Sequence, residues 1–229
     1  AEIGGEVRVA IVSTGDELVA PGGELQAGQI FDSNSVLLHS LVEKCGATVA
    51  NAEHCPDEAV AIQRAFREAL QFEVLIVLGG VSVGARDLVK PGLNAIGAQT
   101  DLWRVSVKPG KPFLFGQGGG CAIFGLPGNP VSAFVTFLLF VRPAILRLMG
   151  ARNDELSLPQ TDAILVGEMN NDGDRPHYVR GKFDKGKFAP IGRQESHALY
   201  GLSCANALLR IPVGGNFRDG TRVPIIPLD

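Results

Sequence analysis

The run Val74-Leu-Ile-Val-Leu78, closed by Gly79-Gly80, decides the fold. Five consecutive apolar residues with no polar alternate belong to a strand buried on both faces, and such strands occur in parallel sheets covered by helices. The flanks agree. Upstream, Asp57 is placed to cap a helix on which Ile62, Ala65, Phe66 and Ala69 recur at helical spacing. Before that come a short strand from Thr48 to Ala50 and a helix with Val36, Leu37, Leu41, Val42 and Cys45 on one face. Asp32 or Ser33 can start that helix and Gly46 stops it. The first strand is the apolar run Val7 to Val12.

Downstream, a weak helix is expected near Leu93 to Ile96, then a half-buried strand through Trp103, Val105 and Val107. Phe113 to Phe115 and Ala122 to Phe124 flank Gly116-Gln-Gly-Gly-Gly120 and read as a hairpin. Asn129 precedes Pro130, which suits the first helical position, and that helix runs to about Met149 with a bend at Pro143. The βαβαβ order predicts an α/β fold over residues 1–150, a doubly wound, mostly parallel sheet with helices on both faces. After a linker at about Ala151 to Pro159, only short apolar runs broken by Gly, Pro, Asn and Asp remain. Residues 151–229 therefore read as a small all-β, barrel-like domain without a convincing helix.

The 229 residues carry a formal net charge of −3, which argues against a nucleic-acid partner. The four cysteines form no C-x-x-C pair and read as reduced thiols, and the four histidines show no metal-ligand spacing. The apolar stretch Val131 to Val141 is broken by Arg142 and Pro143 short of the ~20 residues of a membrane span. A buried helix, no membrane partner and a cytoplasmic location are expected. The chain opens Ala1-Glu2 rather than with Met, so a fragment is expected too.

Three polar loops follow predicted strands: Ser13-Thr-Gly-Asp-Glu17, Gly79-Gly-Val-Ser-Val-Gly84 and Gly125-Leu-Pro-Gly-Asn-Pro130. Loops at the carboxyl ends of parallel strands line the ligand crevice. Glycines there either let backbone approach an anion or serve turns that need positive φ, and spacing leaves both readings open. The last loop leads into a helix whose free N–H groups suit a phosphate. Glu17, Asp57 and Asp87 are the acidic candidates, and carboxylates facing a polyanion call for Mg²⁺. Their plain alternatives are a solvated loop residue, a helix cap and an ion pair with Arg86 or Lys90. Lys108 and Lys111, on a turn stiffened by Pro109, Gly110 and Pro112, read either as a receiver for a small dianion or as a solvated basic turn.

The segments Ser13-Thr-Gly-Asp-Glu-Leu18, Gly28-Gln-Ile-Phe-Asp-Ser-Asn34, Gly79 to Asp87, Val107-Lys-Pro-Gly-Lys-Pro112 and Gly125-Leu-Pro-Gly-Asn-Pro-Val-Ser-Ala133 stand in order. Together they resemble the molybdopterin molybdenumtransferase family, which includes the gephyrin E domain. The resemblance is strong over residues 7–150 and continues through Val179-Arg-Gly181 and Glu195-Ser-His197. It implies the carboxy-terminal two domains of a four-domain, dimeric enzyme that inserts molybdenum from molybdate into adenylylated molybdopterin and releases AMP. Glu17, Asp57, Asp87 and Lys108 would be catalytic, with Glu17 and Asp87 holding Mg²⁺. Ser82, Lys108, Lys111, Pro112, Arg180 and Ser196 would surround molybdate. Thr14, Gly15, Asp16, Gly79, Gly80, Gly84, Pro127, Gly128, Asn129 and Ser132 would bind the rest of the substrate. The resemblance further implies that the β domain leans over the crevice so that Arg180 and Ser196 face Lys108.

Two residues depart from the family pattern: Arg104 where lysine is common, and Glu195, an acid beside the oxyanion site. The family's amino-terminal half, which supplies dimer contacts and part of the site, has no counterpart in these residues, so weak turnover is expected of the chain alone. The alternative is a non-catalytic molybdopterin-binding or scaffold module of the gephyrin type.

Overall fold

The computed structural model describes residues 4–81, 88–192 and 194–228. Ser82, Gly84 and Asp87, three of the expected site residues, lie outside them. The first half of the chain contains β1 (Arg8–Thr14), β2 (Leu18–Val19), β3 (Ile30–Phe31), α1 (Ser33–Lys44), β4 (Thr48–Cys55), α2 (Ala59–Ala69), β5 (Val74–Leu78), α3 (Val89–Ala95), β6 (Gln99–Trp103), β7 (Leu114–Gly118), β8 (Cys121–Leu126) and α4 (Pro130–Thr136). A π-helical turn (Phe137–Val141) joins α4 to α5 (Arg142–Leu148). Six strands form one sheet in the order β4-β1-β5-β8-β7-β6. The pairs β4–β1, β1–β5 and β5–β8 are parallel, and β7 runs antiparallel to both its neighbours.

Alternation along the central strands explains the two covered faces. Val9, Ile11, Val74 and Ile76 point to α1 and the α4–α5 helix, meeting Leu38, Val42, Ala133, Phe137 and Ile145. Ala10, Val12, Leu75 and Val77 point the other way, to Ile62, Phe66, Val89 and Leu93 of α2 and α3. Every residue of β5 is buried, which is why its sequence shows no polar alternate.

After a 3₁₀ turn (Asn153–Glu155), the second half contains β9 (Thr161–Leu165), β10 (Met169–Asn170), β11 (His177–Asp184), β12 (Lys187–Pro190), α6 (Leu199–Ser203), β13 (Ala207–Ile211), β14 (Asn216–Phe217) and β15 (Arg222–Pro227). Five strands close into a barrel in the order β11-β12-β9-β15-β13. Its interior is filled by Val179, Phe188, Leu209, Ile211, Val223 and Ile225.

Several expectations need correction. The strand expected to reach Val107 stops at Trp103 because Arg104 takes a left-handed φ of 72°, a conformation that cannot continue a strand. The cap of α2 is Glu58, and no side chain bonds the helix start, so Asp57 is not a helix cap. The barrel domain does contain a helix, α6. The bend near Pro143 takes the form of a π turn one turn upstream, where the proline ring crowds the carbonyl four residues back.

The helix Pro130–Leu148 is 19 residues long with a mean hydropathy of 1.8, long and apolar enough to cross a membrane by those measures alone. Its residues Val131, Ala133, Val135, Phe137, Val141 and Ile145 are buried in this fold, which is the placement of a core helix. Val131, Phe134 and Val135 also pack against Tyr178, Leu202, Leu208 and Ile226, joining sheet domain and barrel in one apolar seam.

Candidate active site at the carboxyl ends of the parallel strands

The carboxyl ends of β1, β5 and β8 lie side by side, and their loops are tied together. Thr14 Oγ1 donates to the Leu78 carbonyl (3.4 Å), and the Gly79 N–H donates to the Leu126 carbonyl (3.2 Å). Asn34 Nδ2, from the first turn of α1, donates to the Gly128 carbonyl (2.6 Å). Gly79 has φ +82°, and a Cβ there would sit 2.8 Å from the Thr14 carbonyl oxygen. Only glycine permits that approach.

Three cavities open along this edge, and Asn129 lines all three. The first holds carboxylates. Thr14, Gly15, Glu17, Asp57, Gly79, Gly80, Pro112, Pro127 and Gly128 line it. Asp16 is not on its wall but supports it, because Asp16 Oδ1 accepts the Asp57 N–H (3.0 Å). Burial, and then the nearby charges of Asp16 and Glu17, push the Asp57 carboxyl above its ordinary pKa. His54 Nε2 lies 2.8 Å from the Gly15 carbonyl, which can only accept, so the ring hydrogen sits on Nε2.

Among the described residues no group of three or more His, Cys, Asp or Glu is gathered to hold a metal. At Asp57 the carboxylates of Asp16 and Glu17 add, after burial, to the cost of its charge. That suits Mg²⁺ bound by one or two carboxylates and by ligand phosphates, and not by a cage of protein groups.

The second cavity is cationic. Lys108, Pro109, Gly110, Lys111, Pro112, Ser132, Arg175, Gln194, Glu195, Ser196 and His197 line it. The Lys108–Pro109 peptide is cis. Barrel residues grip this turn: the Lys108 N–H donates to the Pro176 carbonyl (2.9 Å), the Tyr178 N–H to the Lys108 carbonyl (2.7 Å), and Arg175 Nη1 to the Val107 carbonyl (3.1 Å). Ser196 reaches across from the barrel, accepting from Asn129 Nδ2 at 2.9 Å. Glu195 does enter this cavity, paired with His197 at 3.1 Å.

The barrel leans over the crevice and Ser196 faces the lysine turn, but Arg180 does not line the cavity. It is 1% exposed, and its guanidinium donates to the carbonyls of Ala198 (2.8 Å) and Glu195 (3.1 Å). Its backbone exchanges hydrogen bonds with the Gln194 side chain. Arg180 therefore fixes the loop that presents Ser196, and the third cation in the cavity is Arg175. Sequence reasoning missed Arg175 because it sits in an Asn/Asp/Gly loop that reads as a linker; its place just before β11 was the available signal.

The helix start is also corrected. Pro130 has no N–H, and the Val131 N–H is taken by the Ser196 carbonyl (3.1 Å). One of the donors expected to hold a phosphate, the Val131 N–H, is thus already engaged.

A sequence profile described as "Probable molybdopterin binding domain" matches residues 10–147. The chain belongs to the molybdopterin-binding domain family. Residues 162–228 match "MoeA C-terminal region (domain IV)". It is 36% identical over 231 residues to a molybdopterin molybdenumtransferase of Haemophilus influenzae, covering 98% of this chain and 57% of that protein. It is 39% identical over 213 residues to the molybdenum cofactor synthesis protein cinnamon of Drosophila melanogaster, covering 90% of this chain and 35% of that protein. The crystal structure of a molybdopterin biosynthesis MoeA protein from Pyrococcus horikosii superposes with a TM-score of 0.85 at 26% identity. That match covers 98% of this chain and 55% of the other. The chain thus spans about half the length of the bacterial relative and of this structural neighbour.

Proposed function

We propose that this chain forms the substrate-binding half of a molybdopterin molybdenumtransferase, which inserts molybdenum from molybdate into adenylylated molybdopterin with release of AMP. One observation carries the reading. Carboxylates (Glu17, Asp57) and cations (Lys108, Lys111, Arg175) line adjoining cavities that share Asn129 and Pro112. A cationic cavity suits an oxyanion such as molybdate. A carboxylate cavity suits a pyrophosphate only when a divalent cation offsets the repulsion. Glu17 and Asp57 would hold that Mg²⁺, which when bound neutralises developing charge on the phosphates. Lys108, Lys111 and Arg175 orient molybdate, and Ser196 offers it a hydroxyl. The working enzyme is, in this reading, the full-length homodimer.

The test is AMP release and cofactor formation by the full-length protein supplied with adenylylated molybdopterin, Mg²⁺ and molybdate. Asp57→Asn should slow AMP release on the order of a hundredfold, the scale of losing one group that stabilises transition-state charge. Because the fold already disfavours the Asp57 charge, its contribution to stability is full below the ordinary carboxylate pKa and lost as pH rises through the raised one. The Tm of Asp57→Asn at neutral pH should therefore hold or rise. Unchanged AMP release in that variant, or no binding of molybdate by the unmodified protein, would contradict the proposal.

A further inference from the structure

Molybdate cannot pass onto the sulfurs of molybdopterin without losing oxygen. Metal–sulfur bonds form, a metal–oxygen bond breaks, and the oxygen leaves as water, which takes up two protons. Resting on the reading above, we infer that His197, held by Glu195, is the general acid that supplies one of them.

The cationic cavity offers few groups for this task. Lys108, Lys111 and Arg175 line it. A guanidinium does not give up its proton in proteins, and an ammonium ordinarily does so only far above neutral pH. The Ser196 hydroxyl is a weaker acid still. Histidine is the side chain whose charge ordinarily changes between about pH 5 and pH 8. Among the described residues, His197 is the one histidine on this cavity wall.

Its setting is that of an oriented imidazole. Nε2 lies 3.1 Å from Glu195 Oε2, so the carboxylate fixes the ring and leaves Nδ1 to deliver a proton. The ring is 70% exposed and can reload from solvent. It also lines the third cavity beside Leu18, Phe31 and Leu199, so it stands on the wall between two lobes of the crevice. The charges facing it are Glu195, Lys108, Lys111 and Arg175 on one side and Glu17 and Asp32 on the other.

The backbone beneath the pair is held firmly. The Glu195 carbonyl accepts from Arg180 (3.1 Å) and from the Ala198 N–H (3.2 Å), the Ser196 carbonyl from the Val131 N–H (3.1 Å), and the His197 carbonyl from the Leu199 N–H (2.9 Å). An exposed ion pair adds little stability, and a carboxylate in a cavity for a dianion weakens binding. Both costs are explained if Glu195 serves the ring and not the anion.

The step balances. Molybdate, a substrate with one thiol and one thiolate, and an imidazolium give a trioxo metal bound through both sulfurs, water and neutral imidazole. The metal keeps its oxidation state, the thiol gives the second proton, and solvent reprotonates the ring.

The experiment follows single-turnover cofactor formation by the full-length protein across the titration range of histidine, with a separate titration by molybdate. His197→Gln should slow formation roughly a hundredfold, the scale of a lost general acid. Its Kd for molybdate and its Tm should hold, and it should lose the fall in rate with rising pH that a general acid imposes. Added imidazole should restore part of the rate to His197→Ala, which a structural role would not allow. Glu195→Gln should bind molybdate more tightly yet form cofactor roughly tenfold more slowly, as when an orienting carboxylate is lost. An unchanged rate and pH profile in His197→Gln overturn this inference alone. So does a slowed variant that keeps the pH profile and gains nothing from imidazole. An unmodified protein that binds no molybdate overturns the parent reading as well.

Discussion

Two arginines five positions apart carry opposite kinds of work. Arg175 is partly exposed, lines the cationic cavity, and spends one donor on the Val107 carbonyl and another on Asp174. Arg180 is fully buried, and its guanidinium ties down the loop from Glu195 to Ala198. Their variants should separate accordingly. Arg175→Ala should weaken molybdate binding by roughly 10- to 100-fold, the worth of a charge-assisted contact, with little effect on the urea midpoint. Arg180→Ala leaves two carbonyls without donors and should cost about 2–4 kcal/mol of stability. Equal losses of affinity at equal stability would mean that both arginines touch the oxyanion. Of the two, only Arg180 was named from the sequence as a cation near the site. Which one faces the ligand depends on the loop geometry, and that is set by Gln194 pairing with the Arg180 backbone across 14 residues.

At the scale of elements, legibility followed burial. β5 and β1 were plain because a strand covered on both faces needs apolar residues at every position. The short elements were hidden: β2 and β3 have two residues each and α6 has five, too few to show a period. The end of β6 was misread because Val105 and Val107 keep the alternation beyond the break at Arg104. They do so for a different reason, packing into the seams between the helices and the barrel. That break begins the lysine turn, whose geometry also depends on Gly110. Gly110 has φ +123°, and a Cβ there would lie 2.6 Å from Thr136 Cγ2 of α4. Thr136 cannot swing away freely, since its hydroxyl donates to the Ser132 carbonyl (2.7 Å). Gly110→Ala should therefore destabilise the fold by about 1–3 kcal/mol and shift Lys111, raising the KM for molybdate more than it lowers kcat. A variant with wild-type urea midpoint and KM would show that the turn has slack that this packing does not suggest.

For the whole molecule, the decisive fact is that neither domain holds the cationic cavity alone. The lysine turn belongs to the sheet domain, while Arg175, Gln194 and Ser196 belong to the barrel. The cavity therefore exists only while the two are packed together, and His177 sits at that junction. It is 8% exposed, bridges to Lys108 through the backbone, and its Nε2 is buried without a partner. Burial, then the positive charges of Lys108, Arg180 and Arg175, hold its pKa down to about 4. A depressed pKa means that the neutral ring contributes its full stability above the unfolded-state value near 6.5 and loses it as pH falls toward about 4. The whole shift corresponds to about 3 kcal/mol at ~1.4 kcal/mol per unit. Urea midpoints should thus fall between pH 7 and pH 4.5 by more than the surface carboxylates account for. His177→Phe keeps the apolar packing and removes the titrating nitrogen, so its midpoint should change less over the same interval, and molybdate affinity should survive acidification better than in the unmodified chain. If the two proteins lose stability in parallel as the pH falls, His177 does not govern the junction, and the acid response belongs to the carboxylates elsewhere in the fold.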